Sequence, residues 1–316
     1  MGNLYGKQYG KYIITYYLQH VEDKDIKTLL ENGLKLSEEF VKIVEDIFKK
    51  ESFQIPKAFS EEDVYLGAPR LFLDEFYVHY LKYTAKGGLS IYSVGLPIVH
   101  RKDIREFLRY CIESTMNFLD QIEEVFIKKG LINKPPLIPY PDKVEFVHQD
   151  FLNGFFGQVR PMHALEIAHL YDNIESNVTS KALIMAFAQV AGDKKIRKLF
   201  ERGRDMTTNH VERYMHMLHD ENLPSPSFLD DLVTSSTTSP FSDKIMMYHK
   251  MDMFSMKIRA FGNSAAVNGR NDIGMVYTKS VMAIAKFVQD LQKTLINKGW
   301  MEQPPYAADR DKLASE

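Results

Sequence analysis

Apolar residues recur at intervals of three and four from Ile26 through Leu29, Leu30, Gly33, Leu36, Phe40, Val44, Ile47 and Phe48. That is the period of a helix with one buried face. The pattern predicts an amphipathic helix from about Asp23 to Lys50, on the order of 40 Å long at ~1.5 Å per residue. A later stretch repeats it with Ile196, Leu199, Phe200, Gly203, Met206, His210, Tyr214 and Met217. Pro56 and Pro226 follow the two helices at matching distances and begin loops. Gly33 and Gly203 share one mid-helix place, where glycine costs about 1 kcal/mol against alanine. A close helix crossing in both stretches is the predicted reason.

The repetition extends along the chain when it is slid over itself by 170 positions and, after a one-residue slip, by 169. "DKDIKTLLENG" (23–33) lies over "DKKIRKLFERG" (193–203), "RKDI" (101–104) over "RNDI" (270–273), and "KKGLINKPP" (128–136) over "NKGWMEQPP" (297–305). The chain therefore reads as two copies of one fold. Within each copy a third helix is expected, from Leu73 past Pro69 in the first and after the caps Ser242 and Asp243 in the second. Gly87-Gly88 and Gly262 mark expected breaks after it. A fourth helix starts at Asp103 or Asp272 and ends at a Lys-Gly pair, with glycine as the carboxyl-terminal cap. With a leading helix before residue 20 or 190, each copy has four helices, and no stretch alternates with period two for long enough to argue a sheet.

A tight first turn, a long polar crossover and a second hairpin predict an all-α fold of two tandem ferritin-like four-helix bundles arising from internal duplication. The blocks "EEDVYLGAPRLFLDEF" (61–76), "VEFVHQDFLNGFFGQVRP" (144–161), "PFSDKIMM" (240–247) and "GWMEQPPYAADRDKL" (299–313) resemble an uncharacterised family of spore-forming bacteria. The resemblance implies tandem ferritin-like bundles, some of whose members carry spore-coat names, and implies no activity. The expected division is residues 1–145 for a first bundle with a short leading helix, 146–160 for a linker, and 161–316 for the second bundle. The linker is too apolar for a free tether; Phe146, Phe151, Phe155 and Phe156 are expected to dock across both bundles.

Composition narrows the functions. Lys plus Arg number 40 against 42 Asp plus Glu, a formal charge of −2, so no global positive field draws nucleic acid or anionic lipid. No run is long and apolar enough for a signal peptide or membrane span, and the single Cys111 excludes a disulfide framework. A cytoplasmic location, in mother cell or spore, is the expectation, with a protein partner or self-association and neither nucleic acid nor membrane. Cys111 reads as a small core residue. The run Met246, Met247, Met251, Met253 and Met256 reads as flexible core filling. Arg101-x-Asp103 and Arg270-x-Asp272 read as structural pairs at the start of the fourth helix.

"HALEIAH" (163–169) is the one stretch that suggests chemistry. Dimetal sites in ferritin-like bundles take Glu-x-x-His from two helices, and Glu166-Ile-Ala-His169 is one such motif. Counting back from Leu183 in threes and fours reaches Ser180, Ser176, Asn173, His169 and Glu166, so the inward stripe turns polar and needs partners. Glu166, His169, His210 and His249 form a candidate metal cluster for iron, zinc or manganese. The fourth helix has no second Glu-x-x-His, however, and the first copy begins too late to carry the motif. A hydrogen-bonded polar cluster with no metal or other cofactor is the simpler reading. Two functional classes follow: a non-enzymatic structural or interaction protein, spore-associated by resemblance, or a metal-binding protein that uses the second bundle alone.

Overall fold

The structure, a computed structural model, describes residues 2–132, 134–156 and 159–315. α1 (Gly2–Leu18) pairs with α2 (Lys24–Lys50), and α3 (Asp74–Ile98) with α4 (Lys102–Lys129). The second copy repeats this with α5 (Ala164–Val190) against α6 (Lys194–Asp220) and α7 (Asp243–Ala266) against α8 (Asn271–Asn297); a short α9 (Arg310–Ser315) ends the chain. The described residues contain no β-strand, only two isolated bridges. The protein is a duplicated all-helical bundle, and none of its described helices is long and apolar enough to cross a membrane.

Local chemistry accounts for the helix ends. Asp23 accepts hydrogen bonds from the N–H groups of Asp25 and Ile26, and Asp193 from those of Lys195 and Ile196, so each copy's second helix starts on the same cap. Gly130 and Gly299, at φ 68° and 67°, close the fourth helices in the left-handed conformation that glycine adopts without penalty. Arg101 pairs with Asp103 and Arg270 with Asp272, each through two nitrogens. The expected breaks at Gly87-Gly88 and Gly262 do not occur. α3 runs through to Ile98 and α7 to Ala266, because Gly87 serves a contact: a Cβ there would lie 2.1 Å from the sulfur of Met256 on α7.

The two copies clasp each other through their crossovers. Leu73 N–H donates to Leu232 O (2.9 Å) and Ser242 N–H to Asp63 O (2.8 Å); Tyr65 N–H donates to Pro240 O (2.8 Å) and Thr234 N–H to Leu71 O (3.0 Å). Within each pair of bonds, advancing one copy's residue by 169 positions gives its counterpart in the other, so the exchange is reciprocal about a pseudo-twofold. One continuous apolar core follows. Tyr17, Tyr77 and Phe76 of the first copy share it with Phe187, Phe241 and Phe254 of the second. A smaller cluster around Phe40, Tyr92, Phe107, Leu108 and Cys111 lies within the first copy. Burial there pushes the Cys111 thiol up to about 12, as expected of a core residue.

The linker does not dock as its composition suggested. Phe146 and Phe156 are 88% and 84% exposed and Phe155 is also exposed. Only Phe151 packs, its ring 4.0 Å from the Arg160 guanidinium and stacked on His163. The helices themselves bury the apolar surface that joins the copies in one continuous core, without these three rings.

Candidate functional site

The four residues of the sequence-derived metal cluster lie in four different settings. Glu166 has a fully buried side chain whose oxygens are taken. Arg160 donates to both of them at 2.8 Å, and the backbone N–H groups of His163, Gly269 and Arg270 each donate at 2.9 Å. Burial by itself would raise this carboxyl, but the guanidinium and the backbone donors outweigh it and hold the group at about 2. Glu166 thus ties the linker and the α7–α8 turn to the start of α5.

His169 meets the Ser264 hydroxyl at 3.3 Å, and Ser264 also accepts from Asn173, which reaches Tyr277. His210 lies among the rings of Tyr214 and Phe261. Burial, with Lys257 and Arg213 nearby, pushes it down to about 4. His249 is 1% exposed and neither ring nitrogen has a partner. Its neighbours are the rings of Tyr9, Tyr80 and Phe187. Among the described residues no three His, Cys, Asp or Glu side chains converge as metal ligands.

Two lysine amines lie near these histidines, Lys257 by His210 and Lys250 by His249. Lys250 on α7 is completely buried and donates to Ser180 O (3.0 Å) and Oγ (2.7 Å). Lys257, one further stretch along α7, is 3% exposed, and its amine has no hydrogen-bond partner. Desolvation lowers both amines well below the ordinary lysine value. The polar stripe of α5 therefore finds hydroxyls, amides and amines, a hydrogen-bonded seam of the kind the residues themselves suggested.

The site that the tertiary structure builds lies elsewhere, where α7 crosses the first bundle. There a chamber of about 360 Å³ opens between α1, α2, α3, α4 and α7, within the size range of small-molecule sites. Its walls are mostly apolar, with Leu36 and Phe40 from α2, Leu81 and Tyr92 from α3, and Phe118 from α4. Glycines line it, Gly6 and Gly10 on α1, one turn apart, and Gly87 and Gly88 on α3, and the open one among them is Gly10. A Cβ on Gly10 would meet nothing within 4 Å.

A few polar groups face this space. Tyr9 donates to Asp252 at 2.9 Å. Burial raises the Asp252 carboxyl to about 6, although the Tyr9 hydrogen bond and Arg259 oppose the rise. His249, Tyr80 and Arg259 belong to the same wall, and the His249 ring nitrogens, the Tyr80 hydroxyl and the Arg259 Nε are buried without hydrogen-bond partners. Lys7 lines it from α1, its ammonium 4.5 Å and 5.1 Å from the centres of the Phe40 and Tyr92 rings. Desolvation brings that amine down to about 8. Of these residues only His249 stood out in the sequence. The in-helix glycines were the available signal, since small residues at helical spacing leave space beside a helix.

The sequence profile of a family described as a protein of unknown function, DUF3231, matches residues 1–144 and again residues 150–313. The chain belongs to this family and carries its unit twice. The crystal structure of a "putative spore coat protein" from Bacillus halodurans is similar to part of it, at 18% identity and a TM-score of 0.42, over 48% of this chain and 98% of that one. No curated protein matches the chain. The two DUF3231 units meet at the chamber: the first supplies α1 to α4 and the second supplies α7.

Proposed function

We propose that the protein is a non-enzymatic binding protein whose chamber between the repeats holds one small molecule with an apolar body. One observation carries this reading: a mostly apolar space of ligand size whose wall includes His249 and Tyr80, the ring nitrogens of the one and the hydroxyl of the other being buried without a hydrogen-bond partner. Buried polar atoms are paired in the great majority of folded proteins, so a chamber lined with orphaned ones has donors and acceptors to offer a guest. Titration with the uncharged fluorophore N-phenyl-1-naphthylamine tests it. Saturable binding of about one molecule per chain, lost in Gly10→Phe, is expected, because a benzyl group at that open position fills the space. Absence of saturable binding, or binding unchanged in Gly10→Phe, overturns the reading.

A second, structural role in assembly, spore-associated as the sequence resemblance implies, rests on a different observation. Leu137, Tyr140, Val144 and Phe146 are 84%, 95%, 91% and 88% exposed between α4 and α5, a dense apolar run of the kind that marks a contact surface. We propose self-association through it. Sedimentation over a range of protein concentrations should show reversible association that is lost when these four become serine. A monomer at every concentration removes this role.

A further inference from the structure

We infer that the guest of the chamber is an amphiphile with a single anionic head, a long-chain carboxylate being the simplest, seated with that head on Lys7. The inference rests on the binding function proposed above and adds the chemical class of the ligand.

Charge and partnering support it together. The charged side chains that line the chamber are Lys7, Asp252 and Arg259, two cations against one carboxylate. Asp252 already accepts from Tyr9 and lies in the field of Arg259. Lys7 has no carboxylate among the described residues within ion-pair distance, and its ammonium lies against the faces of the Phe40 and Tyr92 rings. Lys7 is half-buried, and a charge partly withdrawn from water without a counter-ion is costly; an anion entering the chamber lowers that cost.

The surroundings of Lys7 fix the rest of the guest. Phe40 and Tyr92 flank the ammonium, and Leu36, Leu81, Ile91 and Phe118 continue the apolar wall. Such a wall suits an alkyl or aryl body and leaves the polyhydroxyl surface of a sugar or the triphosphate of a nucleotide without partners. The second cation of the wall, Arg259, lies in the field of Asp252, so the two cations and one carboxylate leave a single net positive charge, which favours a monoanion over a dianion. Tyr80 and His249 remain as donors for one further oxygen of the guest or for water held with it.

Displacement of N-phenyl-1-naphthylamine by three ligands of equal chain length separates the possibilities: dodecanoate, dodecan-1-ol and dodecyltrimethylammonium. Dodecanoate should displace the fluorophore at about tenfold lower concentration than the alcohol, with the ammonium weakest. In Lys7→Met that preference should vanish while the alcohol binds as before, which also shows that the chamber is intact; Lys7→Arg should keep the preference. Equal displacement by dodecanoate and dodecanol overturns the anionic class, and a preference that survives Lys7→Met overturns the seat of the head on Lys7; either leaves the chamber reading standing. Failure of the fluorophore itself to bind removes both.

Discussion

Tyr9 on α1 donates a 2.9 Å hydrogen bond to Asp252 on α7, across 243 residues of sequence and from one repeat to the other. The bond joins the two copies at the wall of the chamber. It also sets a pH dependence, because burial raises Asp252 from 3.8 to about 6 in the folded protein. The folded state then holds a proton that the unfolded chain has released, so stability falls as pH rises from about 4 to 6 and stays lower above. Asp252→Asn should remove that loss. Urea unfolding is expected to show the variant more stable by about 2 kcal/mol at pH 7, after discounting for water in the chamber, with the difference closing near pH 4. A variant equally or less stable at pH 7 contradicts this account.

Glu166 behaves in the opposite sense. Its folded value near 2 lies below the ordinary 4.5, so its contribution is fully present above pH 4.5 and disappears as pH falls through about 2. Glu166→Gln should cost about 3–5 kcal/mol at neutral pH, since the Arg160 guanidinium and the Gly269 and Arg270 N–H groups lose their acceptor charge. Acid unfolding monitored by circular dichroism should be less steep in the variant between pH 4.5 and 2. An unchanged acid limb would mean that Glu166 is not the group that titrates.

Gly33 and Gly203 occupy matching places, yet their surroundings differ. A Cβ on Gly203 would lie 2.5 Å from Phe287 and 2.6 Å from Ile184, whereas on Gly33 it would approach Phe118 at 3.0 Å and Leu81 at 3.4 Å. Alanine gains about 1 kcal/mol of helix propensity at either site. Thermal unfolding of the two variants should show Gly203→Ala losing a net 1–3 kcal/mol or so to overpacking, and Gly33→Ala close to neutral. Equal effects would mean that the two crossings are equally tight.

Lys257 presents a buried amine with no hydrogen-bond partner, over the Phe254 ring at 4.6 Å. Its folded value lies well below 10.5, so the unfolded chain binds the extra proton and wild-type stability should climb as pH rises toward 10.5. Lys257→Met keeps the packing and removes the amine. Chemical unfolding at pH 7 should find this variant more stable than the wild type and without that climb; a destabilised variant would show that the amine has a partner in solution.

The helices were legible because their signals are local. The three-and-four period of Ile26 to Phe48, the caps Asp23 and Asp193, and the glycines after Lys129 and Lys298 act within a turn or two of chain. The duplication was legible for the same reason, one local pattern written twice. The polar stripe of α5 could be seen, and Glu166, Asn173 and Ser180 are all buried. Its partners could not: Arg160 lies in a linker, Gly269 and Arg270 in a turn, and Lys250 on a helix whose apolar and polar positions do not separate cleanly. Nothing in a linear pattern distinguishes a histidine destined for a metal from one destined for an aromatic cage such as that around His249.

Amino-acid order therefore established eight long helices, their hairpins and their repetition, since each depends on residues a few positions apart. How the repeats meet was decided in three dimensions. Two amphipathic faces look alike in sequence whether they bury within one bundle or against the other, and only packing brought Gly10, Lys7, Tyr80 and Asp252 around a single space. Non-directional apolar burial permits many ways of stacking such helices; the reciprocal crossover hydrogen bonds and the shapes of particular side chains select this one.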